Sequence, residues 1–163
     1  MKTSERCTND IVLDTNVLCH ADNAASPQHL GSQALLWWML GSRAKWVLDD
    51  QGKSQPNPLT SILYSEYRSS LAPQGFALNV FVRCLGTDRV TFARRPCHAD
   101  QQAIRKLVPR KASDRAVLGA AIATMDRLLV SNDLDDFDEN VRLAASSNWC
   151  VAIVEASELD SSA

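Results

Sequence analysis

A short apolar run that ends on an acid most constrains how this chain can fold. Ile11, Val12 and Leu13 are followed at once by Asp14 and then by an apolar-periodic segment. Short apolar runs rich in β-branched residues are typical of buried strands, so we predict a strand that ends at Asp14 and leads directly into a helix. Ligands of α/β sheets bind outside the carboxyl ends of such strands. For Asp14 alone, a helix-capping role and a catalytic role both stay open.

Similar apolar runs alternate with segments of helical periodicity along the whole chain. Further strands are predicted over residues 46–48, 89–93, 128–131 and 150–154. Helices are predicted over residues 17–22, 27–41, 59–71, 76–85, 98–107, 116–125 and 137–145, the sixth with Ser113 as its N-cap. This alternation predicts an α/β fold, a single domain whose central parallel β-sheet of about four to five strands is flanked by helices on both faces. We expect a core over residues 11–154 with polar tails at both ends.

Composition and cysteine spacing place the chain in a broad class. The 163 residues are 45% hydrophobic and 22% charged, which is ordinary for one globular domain. No apolar run approaches the roughly 20 residues of a membrane span, and residues 1–10 are too polar for a secretory signal. The five cysteines are odd in number, widely scattered and never spaced as C-x-x-C. That pattern favours a reducing compartment over a disulfide framework or a zinc site, so we expect a cytoplasmic protein.

Charge is unevenly distributed, although the net charge is only −2. Residues 94–115 carry seven lysines and arginines against two acids, whereas residues 133–160 carry eight acids and one arginine. This asymmetry is consistent with a polyanion-binding face beside an acidic, metal-binding pocket. It is equally consistent with two solvated helix faces.

Four acids occupy comparable places in the predicted fold. Asp14 follows the first strand, Glu66 lies within a helix, Asp114 begins a helix, and Asp133 follows the fourth strand. The strand ends converge at one edge of a doubly wound sheet, so these carboxylates can share one pocket. Clustered carboxylates repel one another unless a cation lies between them, and oxygen-only clusters suit Mg²⁺ or Mn²⁺. The alternative is that Asp14 and Asp114 only cap helices and that Glu66 is an exposed helical residue.

The same residues, in this order and spacing, resemble a PIN domain over about residues 11–154. The matching pieces are Asp14-Thr15-Asn16-Val17-Leu18, the helical Glu66, Ser113-Asp114-Arg115 at the start of a helix, and Ser131-Asn132-Asp133 after a strand. Residues 47–50 with Glu66-Tyr67 are also similar to a bacterial branch of PIN-like proteins. The resemblance implies a metal-dependent ribonuclease whose catalytic, metal-binding residues, with one or two Mg²⁺ or Mn²⁺ ions, are Asp14, Glu66, Asp114 and Asp133. It also implies that Asn16 and Ser131 orient those carboxylates through hydrogen bonds, and that hydrolysis leaves a 5′-phosphate.

The acidic end of the fourth strand departs from the PIN pattern. Asp133, Asp135 and Asp136 all precede Phe137, which is one residue more than the usual acid-x-acid-Phe ending. Which of the three acids binds metal therefore stays open, and the spacing from Ser131 favours Asp133.

Two further departures concern the second acid and the basic residues. The loop before Glu66 is unusually long, so Asp50 could take the place of Glu66. The basic stretch has no fixed counterpart in the family. Within it we expect phosphate contacts from Lys111 and Arg115, which flank Asp114.

The leading functional expectation is an Mg²⁺- or Mn²⁺-dependent endoribonuclease, either the toxin of a toxin–antitoxin pair or a defence nuclease. Its expected partners are RNA, an antitoxin or other regulatory protein, and a second copy of the chain as a homodimer, with no membrane. We interpret the helical pair Trp37-Trp38 as packing, with the surface near Trp37 as a candidate docking face.

Two alternatives from other classes stay open. The first is a catalytically inactive PIN-like RNA-binding or scaffold subunit. The second is phosphotransfer with Asp14 as nucleophile. Against the second, Asn16 stands where a haloacid-dehalogenase-type phosphatase needs its second aspartate.

Overall fold

Five parallel strands form the central sheet in the computed structural model of the protein, which describes residues Lys2–Ser161. The strands are β1 (Asp10–Leu13), β2 (Lys45–Asp49), β3 (Val90–Ala93), β4 (Leu128–Val130) and β5 (Ala152–Val154). Their order across the sheet is β3-β2-β1-β4-β5, and every neighbouring pair is parallel. The predicted α/β class and parallel sheet are confirmed.

Helices connect the strands. They are α1 (Thr3–Arg6), α2 (Thr15–Ala21), α3 (His29–Gly41), α4 (Ile62–Ser70), α5 (Phe76–Gly86), α6 (His98–Leu107), α7 (Ala112–Ile122) and α8 (Glu139–Trp149), with 3₁₀ turns at Pro58–Thr60 and Ala156–Glu158. None of the helices in this part of the chain is long and apolar enough to cross a membrane.

The three central strands are buried on both faces, as their continuous apolar sequences require. Side chains of β1, β2 and β4 have almost no exposed surface from Ile11 to Leu13, from Trp46 to Leu48 and from Leu128 to Val130. The edge strand β3 is half-buried along most of its length. The centre of the sheet is therefore fully enclosed, and the strand ends are where polar side chains can reach a ligand.

An aromatic cluster joins α4 and α5 to the sheet. The Trp46 ring meets Tyr67 and Phe81 edge to face, at centroid distances of 6.0 and 5.1 Å. The Trp46 indole N–H donates to the Tyr67 hydroxyl at 3.3 Å, and that hydroxyl donates to the Leu13 carbonyl at 2.5 Å. Because Tyr67 follows Glu66 on α4, this chain of bonds fixes the helix that carries Glu66 against the end of β1.

The start of α7 differs from the prediction. The helix begins at Ala112 after an extended Lys111, with no side-chain cap, and ends at Ile122. Ser113 is therefore inside the first turn, and its assignment as N-cap was wrong. Asp114 lies in the first turn, where the helix dipole favours a carboxylate, and the residues from Val117 to Ala121 are buried.

The polar tails predicted outside residues 11–154 are packed against the fold over the part of the chain that the structure describes. Lys2 and Asp160 form a parallel bridge, and Ala156 and Leu159 are buried with Cys7 in the core. Ala156 and Leu159 are apolar residues within this polar segment, and their burial explains why it packs against the core.

Trp37 packs against Phe76 but is not a core residue. Its side chain is 60% exposed on α3, although its ring lies 4.9 Å from that of Phe76. Trp38 is half-buried against the core.

The close approach of α3 to the C-terminal 3₁₀ turn predicts unequal effects of two glycine substitutions on one helix. A Cβ atom at Gly31 would lie 3.0 Å from the backbone of Ser157, whereas a Cβ at Gly41 would meet nothing within 4 Å. We expect Gly31→Ala to lower the free energy of unfolding by about 1–3 kcal/mol through overpacking. Gly41→Ala should leave it unchanged or raise it by about 0.5 kcal/mol. Urea denaturation of both variants tests this, and equal effects would contradict the packing.

Candidate active site

The strand order itself locates a crevice. Strands β2 and β3 lie on one side of β1, and β4 and β5 lie on the other, so the order in which successive strands are added reverses between β1 and β4. Ligand sites of open α/β sheets form at the carboxyl ends of strands at such a switch point. Here those ends are Asp14, after β1, and Ser131, after β4. The Asp14 amide also donates to the Val130 carbonyl at 3.0 Å, which holds the two ends together.

The Asp14 carboxylate is held by three donors. The Ser131 hydroxyl and the Asn16 side-chain amide both donate to Oδ2 at 2.7 Å, and the Thr15 amide donates to Oδ1 at 2.7 Å. The Thr15 contact makes Asp14 the N-cap of α2, so the capping role is present. A carboxylate has about four acceptor positions, and these bonds leave one open, on Oδ1. The Asp14 carboxylate can therefore cap α2 and still accept a ligand through Oδ1.

Glu66 reaches the same place from α4. Its Oε2 accepts a hydrogen bond from the Thr15 hydroxyl at 2.8 Å, and its side chain is half-buried rather than exposed. Asp14 is 4% exposed, and its pKa is raised from 3.8 to about 6, first by burial and then by the charge of Glu66, against the lowering effect of its hydrogen bonds. The two carboxylates are thus close enough to repel each other.

Asp114 adds a third buried acid from the first turn of α7. It is 5% exposed. Its pKa is raised from 3.8 to about 7, first by burial and next by the charge of Asp14, with smaller contributions from Asp136 and Asp133. Lys111 opposes this shift. Asp14 therefore lies within electrostatic range of Glu66 and of Asp114, and Asp114 lies within range of Asp133 and Asp136.

The three acids of the loop after β4, Asp133, Asp135 and Asp136, have different surroundings. Asp133 Oδ1 accepts the amides of Asp135 and Asp136 at 3.0 Å each, which turns the chain sharply. This turn brings the Asp136 carboxylate inward to hydrogen-bonding reach of Asp114, whereas Asp135 stays exposed. Asp133 keeps its Oδ2 toward the site, 3.7 Å from Lys111 Nζ. Sequence spacing did not predict that the Asp136 side chain is buried beside Asp114.

Lys111 and Arg115, predicted as phosphate contacts, already have partners within the chain. Lys111 Nζ donates to Asp136 at 2.7 Å, which lowers the pKa of Asp136 and raises that of Lys111. The Arg115 guanidinium donates to the carbonyls of Val108 and Pro109 at the end of α6.

Asp50, the predicted substitute for Glu66, faces another loop. Its Oδ1 accepts the amides of Gly52 and Arg95, at 2.7 and 3.0 Å. Within Lys2–Ser161, Glu66 and not Asp50 is the acid whose charge acts on Asp14.

Sequence reasoning missed two residues that organise the site. Thr15 bridges Asp14 and Glu66 by donating its amide to one and its hydroxyl to the other. Asn132 donates its amide to Asn16 Oδ1 at 2.8 Å, while its side-chain oxygen accepts the Ala156 amide at 3.0 Å. Thr15 and Asn132 each lie next to a predicted site residue in the sequence. Their role becomes visible only from the hydrogen bonds that they form in the fold.

The donors suit a hard divalent cation by their chemistry. Asp14, Glu66 and Asp114 offer only oxygen, and the acids at Asp14 and Asp114 are destabilised as anions in the absence of a counter-charge. As the side chains stand, no three Asp, Glu, His or Cys residues in the described chain lie close enough to form a ready ligand group. The fit therefore rests on donor type, burial and mutual repulsion.

The chain matches no protein-family model, no curated protein and no solved structure. The resemblance to a PIN domain stays a prediction based on the quoted residues. The α/β fold and the placement of the acids rest on the structure alone.

The raised pKa of Asp114 predicts that the acid destabilises the metal-free fold at neutral pH. Between pH 4 and pH 7 the folded protein binds more protons than the unfolded chain, so this group's stabilising contribution falls as pH rises through about 7. In EDTA we expect Asp114→Asn to raise Tm at pH 8 by roughly 2–8 °C, corresponding to about 1–2 kcal/mol, and to have little effect at pH 4.

Asp135→Asn is the control for this experiment, because the Asp135 side chain is exposed. Thermal melts of both variants across the pH range decide the question. A Tm gain for Asp114→Asn that is as large at pH 4 as at pH 8 would contradict the assigned repulsion.

Proposed function

We propose that the protein is a metal-dependent endoribonuclease that hydrolyses RNA phosphodiester bonds. The observation that carries the proposal is the Asp14 carboxylate, held by Ser131, Asn16 and Thr15 at the switch point, with Glu66 and Asp114 beside it. This arrangement supports hydrolysis because it presents an oriented anionic oxygen, flanked by other buried anions, at the edge where α/β folds bind ligands.

The side chains of the site have different roles in the proposed hydrolysis. Asp14, Glu66, Asp114 and Asp133 would hold Mg²⁺ or Mn²⁺, which supplies an activated water and neutralises charge that develops on a phosphodiester. Ser131 and Asn16 keep one face of Asp14 occupied, so that its open Oδ1 position keeps a fixed direction. Lys111 lies 2.7 Å from Asp136 and 3.7 Å from Asp133, so Asp133 is the less tightly paired of these two acids.

The biological setting follows from the proposed chemistry. An unrestrained ribonuclease harms the cell that makes it, so we propose a toxin of a toxin–antitoxin pair or a defence nuclease, restrained by a protein partner. The exposed apolar side chains of Leu30 and Trp37 on α3 are a candidate contact surface for that partner.

Cleavage of labelled single-stranded RNA and DNA tests the proposed activity. We expect the purified protein to cleave RNA with Mg²⁺ or Mn²⁺ and not with EDTA. Asp14→Asn should lower the rate by more than about 100-fold, because even residues that only orient metal ligands typically cost 10–100-fold. Asp88→Asn makes the same change of charge on an exposed residue that precedes β3, at the amino ends of the strands and away from the site. This variant should cleave like the unchanged protein.

Two results would overturn this function. Cleavage that persists in EDTA would exclude the metal-dependent reaction. RNA binding without turnover under either ion, with folding verified, would instead support the inactive RNA-binding or scaffold subunit.

The hydroxyl of Ser131 predicts a graded effect. Ser131→Ala removes one of the two donors to Asp14 Oδ2 and leaves the other, from Asn16, in place. We expect a rate about 10–100-fold lower and a higher Mn²⁺ concentration for half-maximal activity. Ser147→Ala, on the exposed face of α8, is the matched control. An unchanged Mn²⁺ dependence in Ser131→Ala would show that the serine does not position a metal-binding carboxylate.

A further inference from the structure

A second cavity opens on the same edge of the sheet, over the ends of β2 and β3. It has a volume of about 140 Å³ and lies against α4, α6 and α7. Four arginines line it, namely Arg94, Arg95, Arg105 and Arg115. The cavity adjoins the acidic site, because Arg115 follows Asp114 on α7 and because neighbouring strands lie only about 4.8 Å apart.

The arginines leave the cavity with an excess of positive charge. None of the four forms a salt bridge to an acid of the described chain. The acids that share the lining are Asp49 and Asp50, and both already accept hydrogen bonds. Asp49 is buried and accepts from Ser61, Ile62, Leu63 and Gln51. An anionic ligand would therefore meet guanidinium groups that no carboxylate neutralises, of which Arg115 also donates to the carbonyls of Val108 and Pro109.

The loop that carries Arg94 and Arg95 is fixed in place before any ligand arrives. The Arg95 amide donates to Asp50 at 3.0 Å, and the Asp50 amide donates to the Ala93 carbonyl at 3.1 Å. Gly119 on α7 lets Pro96 pack closely, since a Cβ there would lie 3.1 Å from the proline ring. A preformed site loses less entropy on binding.

Two amide side chains face the cavity with defined polarity. Gln101 donates its nitrogen to the Pro96 carbonyl at 2.7 Å, and Gln51 donates its nitrogen to the Asp49 carboxylate at 2.7 Å. Those partners only accept, so the nitrogen of each amide must face them and the side-chain oxygen must face elsewhere. Both oxygens remain as acceptors for an N–H group on a ligand.

The apolar walls and the size of the cavity restrict that ligand. Ile62, Ile104 and Ala116 line it. Cavities of about 150 Å³ hold benzene, so the 140 Å³ cavity matches one six-membered ring. A single ring with N–H donors, linked to phosphates that meet arginines, describes a pyrimidine nucleotide.

We propose that this cavity holds a pyrimidine base of a single-stranded nucleic acid, with the arginines on the flanking phosphates. The inference rests on the proposed function for its biological meaning, because it places the base beside the bond to be hydrolysed. The ends of β1 and β3 are about 10 Å apart across the sheet, a distance that a short stretch of the strand can span.

Binding in EDTA tests the cavity without any need for cleavage. Fluorescence anisotropy would compare rC₈, rU₈, dC₈ and rA₈, and we expect the pyrimidine oligomers to bind about 5–10-fold tighter than rA₈. The double variant Arg94→Ala/Arg105→Ala should raise the Kd for rC₈ by about 10-fold and lower its salt slope by about two. Arg43→Ala, an exposed arginine before β2 at the opposite edge, is the control and should change neither the Kd nor the base preference.

A variant that fills the cavity tests base binding separately from phosphate binding. Ala116→Phe should abolish the preference for pyrimidines, with thermal melts to verify folding. Equal binding of rA₈ and rC₈ by the unchanged protein, or an effect of Arg43→Ala as large as that of the double variant, would overturn the proposal. Selective binding without cleavage under any ion would overturn only the proposed nuclease activity. Cleavage with binding unchanged in the double variant would overturn only the cavity.

Discussion

The buried carboxylate of Asp14 is the constraint on which the rest of the structure depends. A carboxylate that is 4% exposed is costly unless donors replace its lost water. Those donors come from both sides of the switch point, since Thr15 and Asn16 follow β1 while Ser131 follows β4. Satisfying Asp14 therefore also joins the two halves of the sheet. One set of hydrogen bonds therefore both orients the acid and links the ends of β1 and β4.

Features set by local sequence were predictable, whereas features set by contacts between distant segments were not. Helix α6 was predicted at its observed bounds, His98–Leu107, because prolines precede and follow it. The start of α7 was missed because Ser113 is a good cap only if the backbone there is extended, and it is helical. The inward direction of Asp136 could not be predicted, because it depends on a turn that Asp133 makes with the following amides.

The arginine cavity shows why a charge pattern alone does not locate a binding site. The sequence indicates a basic stretch, but its members separate in the fold. Lys111 turns toward Asp136, whereas Arg94, Arg105 and Arg115 converge on the cavity with side chains from β2 and α4. The walls come from segments far apart in the chain, and only their packing creates a space of defined size. Of the two phosphate contacts predicted from their position beside Asp114, Arg115 lines this cavity and Lys111 does not.

Lys111 offsets only part of the negative charge of the acids that it contacts, Asp133 and Asp136. Its ammonium group lies 2.7 Å from Asp136 and 3.7 Å from Asp133. One positive charge stabilises Asp136, whose pKa falls, but the pKa of Asp114 is still raised to about 7. The Lys111 side chain is 55% exposed, so its attraction is weakened by solvent. The acids at the carboxyl ends of the strands therefore keep a negative charge that Lys111 does not fully offset.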